Sequence, residues 1–208
     1  MGAPGRLIAL EGVDGCGKST HAHRLADALG ALCTAEPGAT ALGTRLRALV
    51  LDPDLPAVSP RAEALLMAAD RAEHVAEVVA PALDAGRWVV ADRFSGSTLA
   101  YQGYGRGLDL DALGRLVAWA AAGISPDLTV LLDVPLDVAR RRLGAQRADR
   151  LESLGADFHE RVRAGYLELA AADPTWVVVD GTGDEDDVAA LVRGAVTARL
   201  GSPSGAAP

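Results

Sequence analysis

Three glycines, a lysine and a serine are concentrated in residues 12–19, Gly-Val-Asp-Gly-Cys-Gly-Lys-Ser, just after the apolar run Leu7–Leu10. The spacing fits G-x-x-x-x-G-K-[ST], in which backbone N–H groups turn toward phosphate oxygens at the start of a helix. Lys18 would reach the β- and γ-phosphates, and the Ser19 hydroxyl would help to hold Mg²⁺. The segment therefore predicts a nucleoside triphosphate site formed by Gly12, Val13, Asp14, Gly15, Cys16, Gly17, Lys18, Ser19 and Thr20.

Two apolar runs end in an acid that could complete the Mg²⁺ shell. Asp92 follows Val89-Val90-Ala91 and is itself followed by Arg93, whereas Asp133 precedes Val134-Pro135 and a helix. Asp133 is as readily explained by a structural turn, so we predict Asp92 as the metal-site acid. A P-loop of this kind occurs in GTPases, motors, partition ATPases and small-molecule kinases, so the remaining sequence must discriminate among them.

Short apolar runs that do not alternate with polar residues are typical of parallel strands covered on both faces. They alternate here with helical stretches, which predicts an α/β fold with a doubly wound, five-stranded parallel sheet. The predicted strands cover residues 7–10, 31–35, 88–91, 128–132 and 176–179. The predicted helices cover about 18–29, 41–51, 59–85, 109–122, 135–143, 157–172 and 185–200.

The sequence shows no linker or internal repeat, so we predict one domain over residues 1–200. Residues 144–153, GAQRADRLES, are polar and contain arginines between two helices, which makes them a candidate lid. Residues 201–208, GSPSGAAP, have the composition of a flexible tail.

The net charge of −8 over 208 residues argues against a nucleic-acid-binding surface. A polyphosphate site must then be a local concentration of cations within an acidic chain. No apolar run approaches the roughly 18 residues of a membrane span. Two cysteines do not make a disulfide framework, and we predict a cytoplasmic protein with reduced thiols.

Residues 92–108, DRFSGSTLAYQGYGRGL, resemble the signature of thymidylate kinases, which phosphorylate dTMP with ATP. Four more segments resemble that family in the family's order: EPGAT at 36–40, LRALVLD at 46–52, AADRAEHV at 68–75 and DFHERVRAGYLELA at 157–170. The resemblance implies a P-loop nucleoside monophosphate kinase that transfers the ATP γ-phosphoryl group to dTMP with Mg²⁺. It also implies a homodimer, for which the long 59–85 helix could supply the interface.

The resemblance further implies roles for individual residues. Arg93 would grip the 5′-phosphate of dTMP, Arg71 would lie at the thymine edge, and Asp14 would accept a hydrogen bond from the 3′-hydroxyl. Tyr101 would lie against the deoxyribose, where a ribose 2′-hydroxyl would collide with it. The implied dTMP pocket contains Asp14, Glu36, Arg47, Met67, Arg71, Arg93, Ser97, Thr98, Tyr101 and Gln102.

Alternatives remain for some of these residues. Arg71 could form a solvated ion pair with its helix neighbours, and Tyr101 could be a core tyrosine with a satisfied hydroxyl. Arg106, between two glycines, could shape its loop or touch the ligand. Met67 stands where the family commonly has a phenylalanine that stacks on thymine, so a kinase for another deoxynucleoside monophosphate is the nearest rival, followed by an ATP-dependent switch protein.

Some thymidylate kinases carry an arginine in the P-loop at the position of Gly15. Those with glycine there take their catalytic arginine from the lid, which here implies one of Arg142, Arg147 and Arg150. We expect Arg147 to close over the transferring phosphoryl group, with Arg150 as a binding partner. The predicted catalytic residues are Asp14, Lys18, Asp92, Arg93 and Arg147.

Overall fold

The computed structural model describes residues 5–55, 58–144 and 149–202. Within these ranges, five parallel strands form one sheet in the order β2-β3-β1-β4-β5. They are β1 (Leu7–Glu11), β2 (Leu32–Ala35), β3 (Val89–Asp92), β4 (Leu128–Asp133) and β5 (Trp176–Asp180). Each strand lies within one residue of its predicted bounds, so the doubly wound parallel sheet is confirmed.

The helices in the described ranges are α1 (Lys18–Leu29), α2 (Ala41–Leu51), α3 (Pro60–His74), α4 (Ala80–Asp84), α5 (Ser95–Thr98), α6 (Leu110–Ala120), α7 (Leu136–Leu143), α8 (Ala156–Ala172) and α9 (Glu185–Leu200). The single helix predicted over 59–85 is divided into α3 and α4 by a π-helical turn, Val75–Val79. Pro81 explains this division, because its ring cannot donate to an i−4 carbonyl and would clash with it in a regular α-helix.

The sequence analysis missed one helical region. A second π-helical segment, Leu99–Gly105, continues directly from α5. Gly103 and Gly105 interrupt its apolar periodicity, which is the signal on which helix prediction depends. The glycines serve close packing instead, since a Cβ at Gly105 would lie 2.6 Å from the Phe158 ring on α8.

Alternate residues of the central strand point to opposite layers. Leu7 and Ala9 contribute to a small core with Val75, Val79 and other residues of the α3–α4 side. Ile8 and Leu10 contribute to the larger core, which contains buried side chains of α1, α8 and α9. The helices thus cover both faces of the sheet. No helix in the described ranges is long and apolar enough to cross a membrane.

The carboxyl ends of the strands meet at one edge of the sheet, where ligands bind in doubly wound folds. The loop that follows β1 leads directly into α1, and Arg93 follows β3 next to it. The topology therefore places the predicted phosphate-binding residues together.

We predict that Gly165→Ala lowers the free energy of unfolding by about 1–3 kcal/mol, although alanine is the better helix former. A Cβ at Gly165 would lie within 2.6 Å of the Tyr104 Cβ, at the contact between α8 and the π-helical segment Leu99–Gly105. Chemical denaturation measures the effect. Gly194→Ala in α9 is the matched control, because a Cβ there meets nothing within 4 Å and should stabilise by about 0.5–1 kcal/mol. Equal effects of the two changes would contradict the close contact.

Candidate active site

The P-loop has the backbone that its glycines predict. Gly12, Gly15 and Gly17 have φ of +144°, +81° and +96°, a region that other residues rarely adopt. Lys18 is buried and donates from Nζ to the Val13 carbonyl at 2.9 Å, so its ammonium group folds back over the loop. The loop thus holds one cation at the N-terminus of α1, where bound phosphate is also favoured by the helix dipole.

Ser19 and Asp92, the two predicted metal ligands, are adjacent. The Ser19 hydroxyl donates to Asp92 Oδ2 at 2.5 Å, and the other carboxylate oxygen of Asp92 is buried without a hydrogen-bond partner. A hydroxyl and a carboxylate fit Mg²⁺, which takes oxygen ligands and completes its shell with phosphate oxygens and water. Asp133, the alternative acid, accepts two hydrogen bonds from Arg163 and is occupied structurally.

Arg93 lies at the centre of the site and has a left-handed backbone, with φ of 71°. For a residue with a side chain this conformation is strained and persists only where the surroundings enforce it. The guanidinium donates to Asp14, to the Gly12 carbonyl at 3.2 Å and to Ser97 at 3.0 Å. It also lies over the Tyr101 ring, 5.1 Å from the ring centroid.

Asp14 joins the P-loop to this arginine. Burial alone would raise its pKa, but Arg93, Lys18 and a hydrogen bond from the Tyr101 hydroxyl at 2.6 Å hold the pKa well below its usual range. Asp14 is therefore a permanent carboxylate near neutral pH. It suits the acceptance of a hydrogen bond and is a poor general base.

Two buried residues that support Arg93 were not identified from the sequence. Tyr166 on α8 places its hydroxyl 2.9 Å from Ser97 Oγ and 3.2 Å from Arg93. Glu11 accepts from the backbone N–H groups of Phe94 and Ser97, and burial raises its pKa despite these bonds and the Arg93 charge. Glu11 could have been identified as a site residue because it is the last residue of β1, directly before the P-loop. Tyr166 could have been identified because it lies within residues 157–170, a segment that resembles the thymidylate kinase family.

Arg71 is not a solvated surface residue, because its side chain is only 3% exposed. Its guanidinium binds Glu36 through Nε at 2.9 Å and donates to Thr98 and the Phe94 carbonyl. The other oxygen of Glu36 is 2.8 Å from His74 Nδ1. The pair thus connects α3 to the loop after β2 and to α5.

Asp70 lies beside this pair. It is buried and accepts a hydrogen bond from the Gly38 N–H at 3.0 Å. Burial and the neighbouring Glu36 carboxylate raise the pKa of Asp70 to about 6. The wall of the site therefore contains a carboxyl group that gains a proton in mildly acidic solution.

All ten residues of the implied dTMP pocket line one cavity, which Pro37, Leu51, Asp70, Asp149, Leu151 and Glu152 also line. An adjoining cleft is lined by Lys18, Ser19, Thr20 and Asp92, which the sequence analysis predicted to bind the triphosphate and its metal. The cavity and the cleft share a wall formed by Asp14, Glu36, Arg47, Arg93 and Glu152. The cavity and the cleft thus meet at two cations, Arg47 and Arg93.

The lid arginines have different positions. Arg147 lies outside the described residues. Arg142 donates to the carbonyl of Gly181 at 2.8 Å and lines a separate cleft with Thr20 and Glu185. Arg150, expected as a binding partner, has a buried side chain that donates to the Val50 carbonyl at 2.6 Å and pairs with Glu63.

Arg106 also pairs with Glu63, through Nη2 at 2.8 Å. Of the two alternatives for this residue, the structure therefore favours a role in shaping its loop. Cys16 is fully buried beneath the P-loop, with its sulfur 3.8 Å from Lys18 Nζ.

Comparison with known proteins agrees with this geometry. The thymidylate kinase family model matches residues 10–192. Thymidylate kinase of Carboxydothermus hydrogenoformans is 47% identical over 196 residues, covering 91% of this chain and 96% of that protein. Thymidylate kinase of Synechococcus sp. (strain JA-2-3B'a(2-13)) is 50% identical over 200 residues, covering 93% and 95%.

The crystal structure of thymidylate kinase from Ehrlichia chaffeensis superposes with a TM-score of 0.77 at 29% identity, covering 93% of this chain and all of that one. The matched range of the family model, 10–192, includes the P-loop and all the residues named above as lining the cavity and the adjoining cleft. The chain therefore belongs to the thymidylate kinase family.

Proposed function

We propose that the protein transfers the γ-phosphoryl group of ATP, bound with Mg²⁺, to the 5′-phosphate of dTMP and releases dTDP and ADP. The observation that carries this proposal is the shared wall between the cavity and the P-loop cleft. Arg93 and Arg47 belong to both spaces, so one pair of cations can contact the acceptor phosphate and the transferring group. A switch protein needs no second anion-binding cavity.

Positioning and charge neutralisation account for the chemistry. The attacking oxygen of a monophosphate is already an anion, so a strong base is not required. Lys18 and the P-loop N–H groups would hold the donor phosphates, while Arg93 would orient the acceptor through its guanidinium. Ser19 and Asp92 would hold Mg²⁺, which supplies further neutralisation of the phosphate charge.

The cavity also supports the choice of acceptor. Tyr101 is only 5% exposed and its hydroxyl donates to Asp14, so the ring is held in place and would stay beside the deoxyribose, where a ribose 2′-hydroxyl would collide with it. Met67 lines the same cavity and can cover one face of the base with its polarisable thioether.

Association into a homodimer is part of the proposal. Leu65 on α3 is 59% exposed and Trp119 on α6 is 80% exposed, with Leu42 and Leu49 exposed on α2. The three helices are neighbours, so these side chains support an interface on the α3 side of the molecule. A molar mass in solution of twice that of one chain would support it. A cytoplasmic location stays a prediction.

ADP release from Mg-ATP with dTMP, dUMP, UMP, dCMP, dGMP and AMP as separate acceptors tests the proposed activity. We expect rapid turnover with dTMP, slower turnover with dUMP and near-background rates with the others. Lys18→Ala supplies the blank, since it removes the P-loop cation and should abolish transfer in a folded protein. ADP release that is equally fast without an acceptor would contradict the kinase proposal.

Asp92→Asn should raise the Mg²⁺ concentration that gives half-maximal rate by about 10- to 100-fold, because the variant loses a charged ligand. Initial rates across a magnesium titration measure this shift. Asp133→Asn is the matched control, since Asp133 likewise ends a strand, β4 on the other side of β1, but pairs with Arg163. If both variants keep the wild-type Mg²⁺ dependence, Asp92 does not act at the metal site.

Arg147→Ala should lower kcat by about 10³-fold or more, because an arginine finger stabilises the charge of the transferring group. Single-turnover measurements with dTMP check the chemical step. Arg141→Ala removes a neighbouring exposed arginine that pairs with Asp137 and should leave kcat unchanged. A wild-type rate in Arg147→Ala would show that the transferring charge is neutralised elsewhere.

A further inference from the structure

Glu63 on α3 is a fully buried carboxylate outside the residues assigned to substrate or catalysis. Its Oε1 accepts from Gln102 Nε2 at 2.9 Å and from Arg106 Nε at 3.2 Å. Its Oε2 accepts from Arg106 Nη2 at 2.8 Å and lies 2.9 Å from Arg150 Nη2. Both oxygens therefore have partners, and one partner, Gln102, also lines the candidate dTMP cavity.

The ionisation of Glu63 determines how the Gln102 amide is oriented. Burial alone would raise the pKa of Glu63, but hydrogen bonds from Arg106 and Gln102 and the charges of Arg106 and Arg150 lower it overall. An ionised carboxylate only accepts hydrogen bonds, so it must face the NH₂ group of the amide. The carbonyl oxygen of Gln102 is then left for the cavity.

We propose that Glu63 is a positioning residue for base selection, which fixes the Gln102 amide with its carbonyl oxygen toward the base. This inference rests on the proposed function, because it names the group that makes the dTMP pocket specific. Arg106 and Arg150 keep the carboxylate ionised without touching the substrate themselves.

The fixed amide distinguishes pyrimidines by their hydrogen-bonding edge. Thymine and uracil carry an N–H donor at ring position 3, which matches a carbonyl acceptor. Cytosine has an acceptor at the same position, and two facing acceptors would leave buried groups unpaired. A freely rotating glutamine could turn its NH₂ group toward cytosine, so the selectivity depends on Glu63.

The test compares kcat/KM for dTMP and dCMP in the wild type and in Glu63→Gln. A glutamine at position 63 can donate as well as accept, so Gln102 loses its fixed orientation. We expect the preference for dTMP over dCMP to fall about tenfold or more, through a higher KM for dTMP, with the KM for ATP unchanged. Thermal unfolding establishes that the variant is folded.

Arg106→Lys is the matched control. It disturbs the same buried cluster but keeps a cation beside Glu63, so the carboxylate stays ionised, paired with Arg150 and bonded to Gln102, and the preference for dTMP should stay within about threefold of wild type. A folded Glu63→Gln protein with wild-type selectivity would overturn the inference, as would an equal loss in Arg106→Lys.

The double variant Glu63→Gln with Arg106→Met removes one charge of each sign and provides the same comparison if Glu63→Gln does not fold. A loss of selectivity in this double variant, relative to Arg106→Lys, supports the inference, and wild-type selectivity in it would overturn the inference. A wild-type protein that fails to phosphorylate dTMP would instead overturn the proposed function, which separates the two failures.

Discussion

The pairing of arginine guanidinium groups with carboxylates, both wholly or partly buried, is the constraint on which this site depends. A buried charge without a partner costs several kcal/mol, so an arginine that is withdrawn from solvent near the cavity needs an acid from another part of the chain. These pairs join segments that are far apart in sequence and thereby fix the P-loop, α3 and the α5 region relative to one another. The pairs are Arg93 with Asp14, Arg71 with Glu36, and Arg106 and Arg150 with Glu63.

The same pairing explains how a chain of net charge −8 can collect two polyanions. Arg93 divides its N–H groups between one carboxylate and several neutral partners, which are the hydroxyls of Ser97, Tyr101 and Tyr166 and the Gly12 carbonyl. An arriving phosphate can replace neutral partners without leaving a charge unpaired, while Asp14 remains in contact. The Arg71 side chain is more deeply buried than that of Arg93, and its partner is the buried carboxylate of Glu36. This arrangement suits the proposed position of Arg71 beside the thymine base, which carries no charge.

The sequence predicted those features that local pattern determines. Strand bounds followed from short apolar runs, and the P-loop followed from its glycine spacing. The α5 region was missed because a π-helical segment with two glycines has no regular apolar period. Glu11, Tyr166 and Glu63 were missed for another reason: each is a buried polar residue whose importance lies in contacts 39 or more positions away, which no local spacing reveals.

The packing of α7 against the P-loop limits where a further catalytic cation can originate. Gly15 has φ of +81°, and a Cβ at this position would overlap the carbonyl oxygen of Ala139 and lie 3.0 Å from Leu143 Cγ. An arginine at position 15 would therefore require a strained backbone and the displacement of α7. α7 leads directly into residue 144, so the helix that excludes an arginine from position 15 immediately precedes, in the chain, the segment 144–153 that contains the proposed lid arginine. The contact between α7 and the P-loop thus requires glycine at position 15, and a catalytic arginine has to come from another part of the chain.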